Sequence, residues 1–289
     1  MIEKAAASGA DQVFLDLEDA CAPAEKPSAR ALAAELLTTL DFGGKLRVVR
    51  INGVGTPWCR DDVVGLVTGA RDSIDCLLLP KVDDASHVQF VDHLVSGLES
   101  ELGLEGRIGL ELLIKTAAGI VNLREIAAAC PARTEVLVFG PGDYAADLGV
   151  PRLELGMIDP EYPAHQWHWP MSTIAAHARA AGLQAIDGPY VDFHDREGYL
   201  ESARRARLLG FDGKWCIHPS QIEWANESFT PTQELYERSE RLLAAYAEST
   251  AAGRGAAVYE GRMIDEATRK LAEKLAAAGR AAGLRPPSS

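Results

Sequence analysis

What this chain has little of is positive charge. Its 289 residues hold 29 Lys and Arg against 42 Asp and Glu, a formal net charge of -13. That balance argues against nucleic acid or an anionic membrane surface as a partner, while leaving room for local positive patches that bind a phosphorylated cofactor. No apolar run approaches the length of a membrane span, and no signal-peptide pattern opens the chain. Cys21, Cys59, Cys76, Cys130 and Cys216 are odd in number, scattered, and without metal-type pairing. With 47% hydrophobic and 25% charged residues, which is ordinary globular usage, the expectation is a reduced, cytoplasmic enzyme with a sizeable core.

An eighth strand is also missing. Short β-rich runs fall at 12–17, 46–51, 75–80, 108–114, 136–139, 184–186 and 213–217, separated by amphipathic stretches such as 29–38 and 87–98. Alternation of this kind implies a parallel sheet, and runs apolar on both faces imply strands covered on both sides. A closed barrel of this type has eight strands. The chain opens with Ile2-Glu-Lys-Ala-Ala-Ala-Ser8, which reads as the helix of a βα unit rather than its strand. The expected fold is therefore α/β, a (β/α)8 TIM barrel with its first strand missing, as a truncated chain or a misplaced start would leave it. Residues 1–225 form the expected barrel and 226–289 a C-terminal helical arm or lid. In that tail Thr230-Pro-Thr-Gln233 has capping-box spacing with Pro at the first helical position, predicting a helix to about 248. A short run at 256–259 and a last helix from about 266 follow, and the Pro-Pro-Ser-Ser end should be disordered.

Polar groups cluster where strands stop, which is where barrels place their chemistry. Leu15-Asp-Leu-Glu-Asp19 puts three carboxylates at the end of the first run, either as a negative shell around a cation or as the acidic start of a helix. Arg50 ends the apolar run Val48-Val-Arg-Ile-Asn52 and must find an anion there, a substrate carboxylate or a neighbouring acid. Asp143 follows Gly140-Pro-Gly142, where small residues let a ligand approach the backbone, and it equally suits a turn or helix cap. Lys81 stands at another strand end, to stabilise charge or line the rim. His218, in Cys216-Ile-His-Pro-Ser220, reads as a hydrogen-bonded structural residue.

Together these segments resemble the citrate lyase β-subunit-like family of the 2-oxo-acid aldolase superfamily. The resemblance rests on Leu15-Asp-Leu-Glu-Asp-Ala20, Val49-Arg-Ile-Asn52, Leu79-Pro-Lys81, Phe139-Gly-Pro-Gly-Asp143, Cys216-Ile-His-Pro-Ser-Gln221 and Gly261-Arg-Met-Ile-Asp265 in that order. Trp167-His-Trp169 and Ile186-Asp-Gly-Pro-Tyr190 look closest to the malyl-CoA and citramalyl-CoA lyases. The resemblance implies a Mg²⁺-dependent lyase that splits a 3-hydroxyacyl-CoA into an acyl-CoA and a 2-oxo acid, or runs the reverse. It implies Asp143 as a metal ligand and Arg50 as the carboxylate-binding arginine, with backbone N–H groups at Gly142 and Asp143 assisting. It also implies Asp265 as the catalytic acid or base, donated to a neighbouring subunit in a homotrimer or homohexamer. Asp265 also suits the N-cap of the last helix.

One expected residue is absent. The family's glutamate ligand falls on Lys115. At about 4 Å and an effective dielectric near 20, an ammonium repels a divalent ion by roughly 8 kcal/mol. Neutralising the lysine at pH 7 costs only about 4.6 kcal/mol. A bound metal would thus favour neutral Lys115; without one, the charged lysine would pair with Asp143. Glu111 shares its strand face but lies roughly 13 Å away along the strand, too far to replace the ligand. The sequence therefore predicts a weakened or metal-free site, with a catalytically silent CoA-binding or subunit-assembly protein as the alternative.

Overall fold

The computed structural model describes residues 2–104, 107–151, 165–254 and 256–287. Two compact units divide the chain, Met1–Ala225 and Asn226–Ser289. The first opens with α1 (Ile2–Ala6) and β1 (Gln12–Asp16), then α2 (Lys26–Thr39), β2 (Leu46–Arg50), α3 (Cys59–Ala70), β3 (Cys76–Leu79), α4 (Ala85–Leu102) and β4 (Gly109–Ile114). It continues through α5 (Ala117–Val121), α6 (Leu123–Ala128), β5 (Thr134–Phe139), α7 (Pro141–Asp147), α8 (His168–Ala181), β6 (Gln184–Asp187), α9 (Arg196–Leu208) and β7 (Gly213–Lys214). The seven strands pair in sequence order, each parallel to the next. The sheet is curled into a half-barrel, so that Phe14 of β1 meets Trp215, just past β7, with ring centroids 4.7 Å apart.

Burial explains why these runs are strands. Every residue of β3 and β4 is buried, as strands covered on both faces require. On the concave side Val48, Cys76, Leu78, Leu113, Val136 and Val138 form one cluster, with Phe14, Ile186 and Trp215 packed on it. Alternation sends Val13, Leu15, Val49 and Leu77 to the other face, where they too are buried. The seven runs expected from the sequence are the seven strands of this sheet. The last is shorter than 213–217, because the Ile217 and His218 amides bond to the Gln221 side chain instead of a neighbouring strand.

After α10 (Ser220–Phe229), the second unit holds α11 (Gln233–Ala251), β8 (Ala257–Tyr259), β9 (Arg262–Ile264) and α12 (Glu266–Ala281). The N-cap of α11 is Thr232, which accepts from the Leu235 amide, not Thr230 as the capping-box spacing suggested. The Thr230 amide instead closes the last turn of α10 on the Asn226 carbonyl. The run expected at 256–259 is one half of an antiparallel hairpin. Its two turn residues, Glu260 and Gly261, both take positive φ (49° and 71°), which is the type I′ geometry that matches strand twist.

Candidate functional site

The C-terminal ends of the strands carry a charged cluster built outward from β1 and β2. Asp16 and Arg50 are register partners on these adjacent strands. The guanidinium grips the carboxylate at both oxygens, Nε to Oδ1 at 2.7 Å and Nη2 to Oδ2 at 2.5 Å. Asp16 also accepts from the amides of Glu18 and Ala20, which turns the loop back toward the sheet. Burial would raise the Asp16 carboxyl, but Arg50 and these amides outweigh it and hold it below its ordinary range. The third Arg50 nitrogen lies 3.1 Å from Glu18, and the guanidinium sits over the Trp215 ring.

Glu18 is aimed inward by a buried network in which sequence reasoning saw no role. Lys26, inside α2, donates to the carbonyls of Leu17 and Glu18 and to the Asn52 side chain. Asn52 in turn donates twice to Asp62, which also takes Arg30. The signal was an Asn directly after a strand and a Lys early in a helix, neither distinctive by itself.

Lys115 follows the last residue of β4, on the concave face shared with Glu111 and Leu113. Its side chain is 1% exposed, and Nζ lies 2.9 Å from Glu18 Oε2, 3.2 Å from Asp19 Oδ2 and 3.1 Å from Asp143 Oδ2. Burial disfavours the ammonium, but the three carboxylates outweigh it and hold Lys115 above its ordinary range. Glu18 goes the other way: burial raises its carboxyl despite Lys115 and Arg50. Space for the lysine comes from Gly140, where a Cβ would stand 2.5 Å from the Lys115 Cβ. Lys81 approaches Glu18 at 3.9 Å from a positive-φ backbone (51°), a conformation uncommon for a residue with a side chain.

Of the expected site residues, Arg50 and Asp143 join this cluster, and Gly142 lies beside them in the first turn of α7. Asp265 belongs to the second unit, where its carboxylate caps α12 by accepting from the Thr268 amide and hydroxyl. His218 bonds Ser220 and stacks on Phe193. Sequence reasoning missed the buried pair of Asp187 and Lys214, 2.5 Å apart at the ends of β6 and β7. A cavity of about 510 Å³ opens at the other, N-terminal ends of the strands, lined by Gln12, Arg71, Asp75, Glu111 and Glu135 among others.

The donors do not fit a divalent ion. The carboxylates that converge here already converge on an ammonium. Among the described residues, no group of three or more His, Cys, Asp or Glu is disposed to hold a metal.

Residues 1–219 match the HpcH/HpaI aldolase/citrate lyase family. The chain belongs to that family. An L-malyl-CoA/β-methylmalyl-CoA lyase of Cereibacter sphaeroides is 42% identical over 282 residues, covering 94% of this chain and 88% of the relative. The citrate lyase subunit beta of Leuconostoc mesenteroides subsp. cremoris is 35% identical, covering 92% and 84%. Among solved structures, protein CitE from Mycobacterium tuberculosis, in complex with magnesium, acetoacetate and coenzyme A, superimposes with a TM-score of 0.70 at 33% identity, covering 96% and 91%. A citrate lyase from Burkholderia xenovorans reaches 0.82 at 24% identity, covering 96% and 86%, a likeness of fold. Family membership makes the cation within the carboxylate cluster the feature to explain.

Proposed function

We propose that this chain is a carbon–carbon lyase that splits a 3-hydroxyacyl-CoA such as malyl-CoA or citramalyl-CoA into an acyl-CoA and a 2-oxo acid, or joins them. The observation that carries this reading is the 42% identity to a malyl-CoA/β-methylmalyl-CoA lyase across 94% of the chain. Arg50 is the group for the 2-oxo acid carboxylate: a planar fork held at a strand end that would exchange one carboxylate partner, Asp16, for another. The amides of Gly142 and Asp143, in the first turn of α7, have no intrahelical partners and point their partial positive charge outward. Asp265 is the proposed acid that protonates the acyl-CoA enolate on cleavage, and the base in condensation. It would act within a homotrimer or homohexamer, as an arm residue completing a neighbour's site. A cytoplasmic enzyme suits this chemistry, and among the described residues no helix is long and apolar enough to cross a membrane.

Magnesium is bound by the relative named above, and here we propose that it is held weakly or not at all, since Asp143 is engaged by Lys115. That same pair favours a second reading, a catalytically silent CoA-binding or subunit-assembly protein. Chromatography of malyl-CoA incubated with the protein separates the two: acetyl-CoA and glyoxylate should appear under the first reading and never under the second. Asp265→Asn keeps an N-cap acceptor but cannot transfer the proton. It should abolish cleavage with an unchanged melting temperature; full activity in that variant would remove Asp265 from the chemistry.

A further inference from the structure

Three carboxylates converge on one point at the strand ends, and the point is occupied by a nitrogen. Glu18, Asp19 and Asp143 each place an oxygen within 3.2 Å of Lys115 Nζ. An oxygen-liganded divalent ion would have to draw these oxygens in to its shorter ligand distances, and the ammonium stands in that space. Nζ cannot readily step aside, because the lysine is 1% exposed and its stem passes directly against Gly140. The charges are matched as well as the geometry. Asp16, Glu18, Asp19 and Asp143 are met by Arg50, Lys115 and Lys81, four negative groups against three positive. A divalent ion added to that set would face an ammonium at contact distance and only one uncompensated carboxylate.

We propose that Lys115 is a resident cation that closes this site to divalent metal ions, standing where Glu18, Asp19 and Asp143 converge. An ammonium that donates to Glu18 and Asp19 and pairs with Asp143 has no lone pair to offer, so the same geometry argues against Schiff-base formation at this lysine. The proposal needs no substrate and stands apart from the lyase reading.

Manganese is the probe, read by the loss of its free paramagnetic resonance signal on binding. The native chain should leave that signal unchanged up to about 1 mM Mn²⁺, where an affinity is negligible. Lys115→Glu supplies a fourth carboxylate in place of the cation and should bind Mn²⁺ about 100-fold more tightly than the native chain. Lys115→Met removes the charge without adding a ligand, serves if the glutamate variant does not fold, and should show binding between the two. Micromolar Mn²⁺ binding by the native chain, lost in Asp143→Asn, would overturn the proposal. So would failure of every folded Lys115 variant to gain affinity. Malyl-CoA cleavage is measured on the same samples. A native chain that binds no Mn²⁺ and cleaves nothing defeats the lyase reading and leaves the resident cation standing.

Discussion

Strand β4 and the residue that follows it bring two ionisable side chains to the concave face of the sheet, Glu111 near the start and Lys115 just past the end. Both are buried, at 2% and 1% exposure. Lys115 is ringed by opposite charge and stays charged. Glu111 has a neutral partner, the Gln12 amide at 3.1 Å, and burial pushes its carboxyl up to about 7. Two groups on one strand face thus show the two ways out for a buried charge, compensation or neutralisation. The difference lies in what the strand ends offer. The C-terminal ends bring in loop carboxylates, while among the described residues the Glu111 carboxyl receives only an amide.

The largest test of that contrast removes the compensated charge. Lys115→Met leaves Glu18 to Arg50 and the more distant Lys81 and sets three acids against one another, so stability should fall by about 4 kcal/mol at neutral pH. Urea unfolding measures it, and a loss no larger than for an exposed lysine would mean that the cluster is worth little. The next test removes the uncompensated group. Glu111 has an ordinary value of 4.5 and a folded value near 7, so the folded chain keeps a proton that the unfolded chain has released. Stability should therefore fall as pH rises from about 4.5 to 7, by about 3 kcal/mol in all, and hold level above. Glu111→Gln should erase that slope and gain most at pH 8; parallel curves for the two proteins would place Glu111's ionisation elsewhere. The smallest effect is at Gln12. Gln12→Ala removes the amide that helps the ionised form, which should cost about 1 kcal/mol and move the Glu111 titration still higher by NMR.

How far the sequence could be read follows the same division between local and distant causes. The strands were legible because β3 and β4 are apolar at nearly every position, a pattern set by burial on both faces. The cluster was legible in part: Arg50, Asp143 and Lys115 each stand at or near a strand end, and the pairing of Lys115 with Asp143 was an expected outcome for a metal-free site. Lys26 was not legible, because a lysine early in a helix normally faces water, and only the tertiary fold brings the Leu17 and Glu18 carbonyls to it. Lys214 and Asp187 belong to different strands, and nothing local to either predicts the other. The hairpin of the second unit escaped because its turn reads Glu-Gly, where Asn-Gly or Asp-Gly would have announced positive φ. The misplaced cap of α11 shows a short-range motif losing to the helix before it, whose last turn had already claimed Thr230.

Gly140 constrains its neighbour in a particular way. A Cβ there would strike the Cβ of residue 115, which every amino acid but glycine shares, and crowd Leu113 Cδ1, but would not meet the ammonium at the far end. The backbone thus demands smallness at 140 and is blind to the head group carried at 115. Position 115 is in that sense a socket, and exchanging its fitting from base to acid in Lys115→Glu should leave the surrounding strands in register. For this chain, then, likeness of fold is a poor witness to what occupies the centre of the site, and one side chain is the better one.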